Sequence, residues 1–299
     1  PSSRLRKHMP YYIESEPSTD FLKITKPEEI RMLDPATGSG HMLTYSFDLL
    51  YLIYEEEGHA PSEIPGLILR HNLFGMEICP RATQLAQFAL VCKAREKSRV
   101  AFRNPVQPQV MCLDDVVISP EEMKDYLCLP GLRELFTERV LRQVHQFREN
   151  TSTFGSLIQP VLTTAEITAI KPRLAMVNPG YDLLRQETHH KVLRALEQAE
   201  MLTQRYHIVV ANPPYMGGKQ MNARLKVFGT EKYPNSRSDA FAMFIEQSFS
   251  LSMPKAYSAL VTMQSWMFLS GFEELRKTVT TTQTILTMAH LGARAFDTI

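Results

Sequence analysis

Apolar positions recur along this chain with two spacings, and the alternation between them is the first structural signal. The run 30–33 in "IRMLD" is short and apolar. It passes into "PATGSG", after which Met42, Leu43, Phe47, Leu50 and Tyr54 recur at close to helical spacing until Gly58. This predicts a buried strand, a glycine turn and an amphipathic helix. The pattern then repeats. "PSEIPGLILRHN" reads as a shorter helix and "LFGME" as a second strand. "CPRATQLAQFALVCKAREKS" reads as a long helix with Ala82, Leu85, Ala86, Ala89 and Leu90 inward, and "QVMCLDD" as a third strand. Such alternation predicts an α/β fold with a mostly parallel sheet, right-handed crossovers and helices on both faces.

From residue 119 the strand signal disappears. In "SPEEMKDYL", Ser119 is a helix cap, Pro120 stands in the first turn and Glu122 completes a capping box. Helical pattern runs to about residue 149 with a break at "LPG". "TFGSLIQPVLTT" has no assignable period, and "DLLRQETHHKVLRALEQAEMLTQ" is helical again. The sheet resumes with "YHIVVA", followed by a helix over "SDAFAMFIEQSFSLS" and a strand over "SALVTMQ". The expected organisation is an arm at 1–30, one half of an α/β domain at 31–118, a mostly helical insertion at 119–205 and the other half at 206–299.

Composition narrows the class. The 299 residues are 44% hydrophobic and 22% charged, ordinary for a globular chain with a sizeable core. No apolar run approaches the ~18 residues of a spanning helix, and no secretory leader opens the chain. The four cysteines (79, 92, 112 and 128) form no CxxC pair and the nine histidines no HxxxH pair, so neither a metal site nor a disulfide framework is expected. Reduced thiols and a cytoplasmic location are the simpler expectation. The net charge of +1 neither favours nor excludes nucleic acid. A start without methionine and a stop at "HLGARAFDTI" suggest a piece of something longer.

Candidate chemistry begins in the turn "DPATGSG". Pro35 and Ala36 lead into Gly38 and Gly40, between a strand and a helix, where a doubly wound sheet binds its nucleotide. A dinucleotide fingerprint needs a third glycine, and Leu43 stands there. Asp34 beside the loop is unfavourable for a pyrophosphate and suits an ammonium. Glu77 ends the second strand, where a carboxylate takes both hydroxyls of a ribose. Asp114 ends the third, where it accepts from an adenine's exocyclic amine; adjacent Asp115 is an alternative. Ammonium, ribose and adenine together describe S-adenosyl-L-methionine.

"YHIVVANPPYMGGK" delivers Asn212 at the end of an apolar strand. Pro213 and Pro214 stiffen the loop, so that the Asn212 side-chain oxygen and the Pro213 carbonyl converge as acceptors for an exocyclic amine. Accepting both amine protons frees its lone pair to attack a sulfonium methyl. Tyr215 offers a flat face for an extruded base. A near-copy, "NPGYD" at 178–182, lacks the second proline and reads as a turn and helix cap. Between 216 and 238 five basic residues, among them Lys219, Arg224 and Lys226, face one acid, Glu231. This predicts a basic loop for phosphate contacts, made mobile by Gly217 and Gly218.

These residues carry a resemblance. "DPATGSGHML", "LFGMEICPRA", "CLDD" and "ANPPY", in this order, resemble the amino-group (N6-adenine) DNA methyltransferases. "EKYPNSRSDAFAMFIE", "LVTMQSWMFLSGFEELRK" and "HLGARAFDTI" are similar to the adenine methyltransferases of BREX phage-defence systems. The resemblance covers roughly residues 31–299. It implies a Rossmann-like SAM-dependent methyltransferase fold acting on double-stranded DNA, with partners in a defence complex and no metal or membrane. It implies that Asp34 and the glycine turn hold the methionine end of the cofactor, Glu77 the ribose and Asp114 the adenine. Asn212 and Pro213 would position the target amine, Tyr215 would stack on it, and Asp239 and Phe241 would help line the cofactor pocket. Met42 stands where the family usually has phenylalanine, and a target-recognition domain is not evident. The same chemistry also serves methylation of protein glutamines or RNA bases, and a defence scaffold with weak methyl transfer is a further reading.

Overall fold

The structure, a computed structural model, describes residues 3–10, 12, 21–99 and 105–292. Residues 1, 2, 11 and 13–20 of the expected arm at 1–30, and 293–299 of the "HLGARAFDTI" stretch, lie outside the described residues. The chain divides into two compact units. The larger comprises Leu22–Ala211 and Ser248–Ala259; the smaller takes in Asn212–Gln247 and the described residues before Leu22 and after Ala259.

The larger unit opens as the sequence predicts. β1 (Met32–Asp34) leads through the glycine turn into α1 (His41–Glu56) and α2 (Ile64–His71); β2 (Leu73–Glu77), α3 (Pro80–Lys97) and β3 (Gln109–Cys112) follow. Six helices come next: α4 (Pro120–Tyr126), α5 (Leu132–Leu135), α6 (Glu138–Gln146), α7 (Thr151–Phe154), α8 (Thr164–Ala175) and α9 (Leu183–Thr203). The chain then re-enters the sheet as β4 (Tyr206–Ala211). Later elements are α10 (Ala223–Lys232), α11 (Ala240–Leu251), β5 (Ser252–Leu260) and α12 (Glu273–Thr282).

The strand order is β3-β2-β1-β4-β5, and the pairs β1–β2, β2–β3 and β1–β4 are parallel. The order reverses between β1 and β4, the switch point at which such sheets bind ligands beyond the strands' carboxyl ends. Side chains of successive strand residues point to opposite faces, and each face has its own core. Met32, Leu73 and Val110 pack with Leu43, Phe47, Tyr54, Ile68, Ala86 and Leu90 of α1–α3. Leu33, Phe74, Met76 and Val209 pack with Tyr126, Val140, Val192, Leu196 and Ala199 of α4, α6 and α9. Helices therefore cover both faces, and the insertion supplies one of the two layers. This is the Rossmann-like α/β fold expected for a methyltransferase.

Local chemistry explains the insertion's shape. Ser119 and Glu122 form the expected capping box, and Thr163 with Glu166 forms a second at α8. The stretch without period, 153–164, is held by a side chain instead. Gln143, fully buried on α6, accepts from Val161 N–H at 2.7 Å and Leu162 N–H at 3.0 Å.

Three expectations are corrected. Leu85 is not inward: it is 53% exposed, and α3 buries Thr83, Ala86, Leu90 and Ala94, a face rotated by one position. The last strand begins at Ser252 and stops at Leu260, so Val261–Gln264 lies outside it. The basic stretch after Tyr215 is not simply a loop. Asn222 accepts from Leu225 N–H at 2.8 Å and starts α10, whose Leu225 and Gly229 are buried. Among the described residues no helix is long and apolar enough to cross a membrane.

Candidate active site

In the larger unit, two strand-end carboxylates converge on one turn. Asp34, the last residue of β1, is 2% exposed and accepts from Ala36 N–H at 3.0 Å. Burial raises its pKa to about 7; the nearby Glu77 charge adds to the rise, and the Ala36 N–H opposes it. Glu77, the last residue of β2, accepts from Gly38 N–H at 2.7 Å on one oxygen and from Ile78 and Cys79 N–H at 2.9 Å on the other. Thr37 ties the turn to both strands, its hydroxyl donating to the Asp34 carbonyl (2.9 Å) and the Met76 carbonyl (3.2 Å). Gly40 has φ +88°, and a Cβ there would lie 3.0 Å from Ala86 Cβ. The turn thus needs glycine both for its backbone angle and for its approach to α3.

Asp114 is not gathered into this cluster. β3 ends at Cys112, and one further ladder-like bond, Leu113 N–H to the Glu77 carbonyl at 2.7 Å, carries the chain to an exposed Asp114. Its partner comes from the insertion: Arg194 of α9 donates to Asp114 at 3.2 Å and to the Cys112 carbonyl at 2.5 Å. Asp114 lines an open cleft of about 630 Å³ with Glu122, His190, Lys191 and Arg194. Adjacent Asp115 is differently used. Both its oxygens face Ser152, one accepting the backbone N–H at 3.2 Å and the other the hydroxyl at 3.3 Å. Both acids line the cleft, Asp114 paired with Arg194 and Asp115 with Ser152.

In the smaller unit, the 212–215 loop is braced from within. Asn212 is exposed, Pro213 buried and Tyr215 37% exposed. The Tyr215 hydroxyl donates to the Asn212 side-chain oxygen at 3.0 Å. Asp239 holds the following residues, accepting from Met216 N–H at 3.0 Å and Phe241 N–H at 3.3 Å. Burial raises the Asp239 pKa, with the backbone donors opposing. Gly217 and Asp239 form an antiparallel bridge, and Ala240 N–H donates to the Met216 carbonyl at 3.1 Å. Phe241, fully buried, meets Tyr215 edge-on at 6.2 Å and Phe272 at 5.9 Å. Asp239 and Phe241 therefore support the loop directly. An exposed amide beside a half-exposed ring is an arrangement that can hold and stack a planar amine.

The near-copy is a turn and cap. Asn178 accepts from Gly180 N–H at 2.9 Å, Gly180 has φ +80°, and Asp182 caps α9 through Leu184 N–H at 2.9 Å. Lys219, Arg224 and Lys226 are exposed, the last two on α10. Among the described residues no group of three or more His, Cys, Asp or Glu is placed to hold a metal. Sequence reasoning missed Arg194, Ser152 and Ser156, whose contacts with the strand ends span 37–121 residues of sequence.

Comparison with known proteins gives the family. Residues 71–296 match the model of the Eco57I restriction-modification methylase family. The "Adenine-specific methyltransferase BrxX" of Escherichia coli O9:H4 (strain HS) is 38% identical over 327 aligned positions, covering 100% of this chain and 27% of that protein. The "Adenine-specific methyltransferase PglX" of Lacticaseibacillus casei (strain Zhang) is 34% identical over 296 positions, covering 97% of this chain and 24% of that protein. The chain thus spans about a quarter of the length of these relatives. With more than half of its residues matched by the family model, the chain belongs to the Eco57I restriction-modification methylases.

Proposed function

We propose that this chain carries the donor-binding and amine-holding parts of an adenine-specific N6 DNA methyltransferase that uses S-adenosyl-L-methionine and marks host DNA in a BREX-type phage-defence system. The observation that carries the reading is the convergence of Asp34 and Glu77 on the Gly38 turn, beyond the carboxyl ends of β1 and β2. Two carboxylates there fit a donor with a cationic amino-acid end and a ribose, and they oppose a pyrophosphate. Similarity to the two adenine-specific methyltransferases supplies the substrate class.

When bound, the donor supplies an electrophilic methyl on a sulfonium. The residues of this chain do the rest. Asp34 would pair with the ammonium, Glu77 with the ribose hydroxyls, and Asp114 with the adenine amine. Asn212 and Pro213 would accept the two protons of the target amine, returning its lone pair from the ring to the nitrogen. Tyr215 would hold the extruded base by stacking, which contributes about 1–3 kcal/mol per base. Lys219, Arg224 and Lys226 would contact phosphates and fix the strand while the base swings out.

Reading adenine modification genome-wide in cells with the full-length protein, with its Asn212→Ala form, and without it tests this. A recurrent N6-methyladenine motif present only with the unaltered protein is expected. Identical maps in all three strains refute the proposal.

A further inference from the structure

One segment of the larger unit reaches the ends of three successive strands, and it comes from the insertion. Residues 151–157 comprise α7 and a 3-10 turn, Gly155–Leu157. Beyond β3, Asp115 grips the backbone and hydroxyl of Ser152. Beyond β2, Gly155 packs on Ile78, the residue after Glu77; a Cβ at Gly155 would lie 2.7 Å from Ile78 Cγ2, and its φ is +54°. Beyond β1, the hydroxyl of Ser156, 2% exposed, donates to the Pro35 carbonyl at 2.5 Å. Leu157 and Ile158 then enter the core and anchor the segment's far end.

The path therefore runs across the carboxyl ends of β3, β2 and β1 in turn, the edge beyond which doubly wound sheets hold their ligands. A segment bonded there by side chains bounds whatever binds there. The Ser156 bond has a specific consequence. Pro35 lies between Asp34 and Ala36, and the Ala36 N–H is the donor that orients the Asp34 carboxylate. Fixing the Pro35 carbonyl fixes the peptide planes on which that orientation depends.

We propose that residues 151–156 form a wall of the donor site and that Ser156 is a positioning residue, holding Pro35, and through it Asp34, in register for the amino-acid end of the donor. The inference rests on the donor reading above. Removing the hydroxyl leaves a buried carbonyl without this donor and loosens the turn. Losing one net hydrogen bond lowers donor affinity about two- to twelvefold. Chemistry on bound donor is left nearly unchanged, because the segment's contacts are with the ends of β1, β2 and β3.

The test uses the full-length protein, with S-adenosylhomocysteine binding by calorimetry and steady-state kinetics in S-adenosylmethionine. Ser156→Ala is expected to raise both the product Kd and the donor KM about two- to twelvefold, with kcat at saturating donor within about twofold. Ser152→Ala, at the exposed tether, is expected to move both the same way by about two- to threefold, and it carries the test should Ser156→Ala fail to fold. Wild-type protein that binds S-adenosylhomocysteine while both variants bind it equally well overturns the wall but spares the donor reading. Tighter binding by the variants also overturns it, by showing a plug. Wild-type protein that binds neither compound overturns both.

Discussion

The protonation of Asp34 gives the donor site a pH signature. Its carboxyl is raised from 3.8 to about 7 by burial, first, and then by the charge of Glu77. The group is almost wholly enclosed, so little solvent screening softens the shift. Between pH 4 and pH 7 the folded chain holds a proton that the unfolded chain has released. Stability without donor therefore falls as pH rises through this window and levels off above it; a shift of this size corresponds to about 4 kcal/mol as an upper figure. A cationic ligand reverses the preference, because it pairs only with the ionised form. At pH 6 a carboxyl with a pKa of about 7 is ionised in roughly one molecule in ten, and at pH 7.5 in roughly three of four. Donor affinity is expected to rise about sixfold over that interval, the donor's own amine being partly deprotonated at its upper end. It declines again above about pH 8, where an α-amino group loses its own proton.

Calorimetry of donor binding in two buffers of different ionisation enthalpy reads the proton directly. About 0.9 proton is expected to be released per donor bound at pH 6, falling to near zero at pH 7.5, where the donor's amine takes up about as much as Asp34 gives. Asp34→Asn keeps the side-chain acceptor for Ala36 and removes the charge. It should bind donor weakly, with no pH slope below pH 7.5, and melt at a higher temperature than the wild type at pH 8. An unaltered protein whose donor affinity is flat from pH 6 to 7.5, with no proton released, refutes the pairing of Asp34 with a cation.

Three other outcomes follow from the geometry. Asn212→Ala, measured in the full-length protein, is expected to lose methyl transfer by more than 100-fold while donor Kd stays within about twofold; retained transfer disposes of the amine-holding role. Gly40→Ala meets Ala86 at 3.0 Å and a φ of +88°, whereas Gly38→Ala meets nothing within 4 Å at a φ of +54°. Thermal or denaturant unfolding should show a loss of about 2–3 kcal/mol for the first and about 1 for the second, and equal losses contradict the packing argument. Replacing Lys219, Arg224 and Lys226 together by alanine is expected to flatten the salt dependence of DNA binding by two to three units of log–log slope; an unchanged slope assigns them to a surface that DNA does not touch.

Much of the fold was legible because its signals are local. The strand ends at Asp34 and Glu77 and the start of α1 each follow from a few adjacent residues: an apolar run, an acid, a glycine. The capping box at Ser119 and the turn at 178–182 were readable for the same reason, since their donors and acceptors lie within three residues of each other. Where the burial pattern was ambiguous, tertiary packing decided. In α3 the alanines at 82, 86 and 89 leave the inward face nearly undetermined by hydrophobicity, and the sheet selected the stripe through Thr83, Ala86, Leu90 and Ala94. In the basic stretch, Asn222 and the apolar Leu225 and Val227 carried a weak helix signal that the charges obscured. α10 is stable because Leu225 and Gly229 bury against its neighbours; a Cβ at Gly229 would lie 3.1 Å from Met243 Sδ.

The candidate site was legible where neighbouring strands in register build it. Asp34, Gly38 and Glu77 meet because β1 and β2 are neighbours in register, Asp34 lying opposite Gly75, so strand order alone brings their ends together. Asp114 was placed by the same reasoning, but nothing in "CLDD" announces that α9, 80 residues later, would put a guanidinium on it. Its charge is already partnered, so any adenine amine it receives joins an ion pair rather than a bare carboxylate. The insertion is thus no appendage. Its Val192, Leu196 and Ala199 share a core with Leu33 and Phe74 of the sheet, its Arg194 holds the end of β3, and its Ser156 holds the turn after β1. A sequence period reports which face of a helix is apolar; it does not report which loop a polar side chain on the other face will reach. That is why the layer was foreseeable and its grip on the strand ends was not.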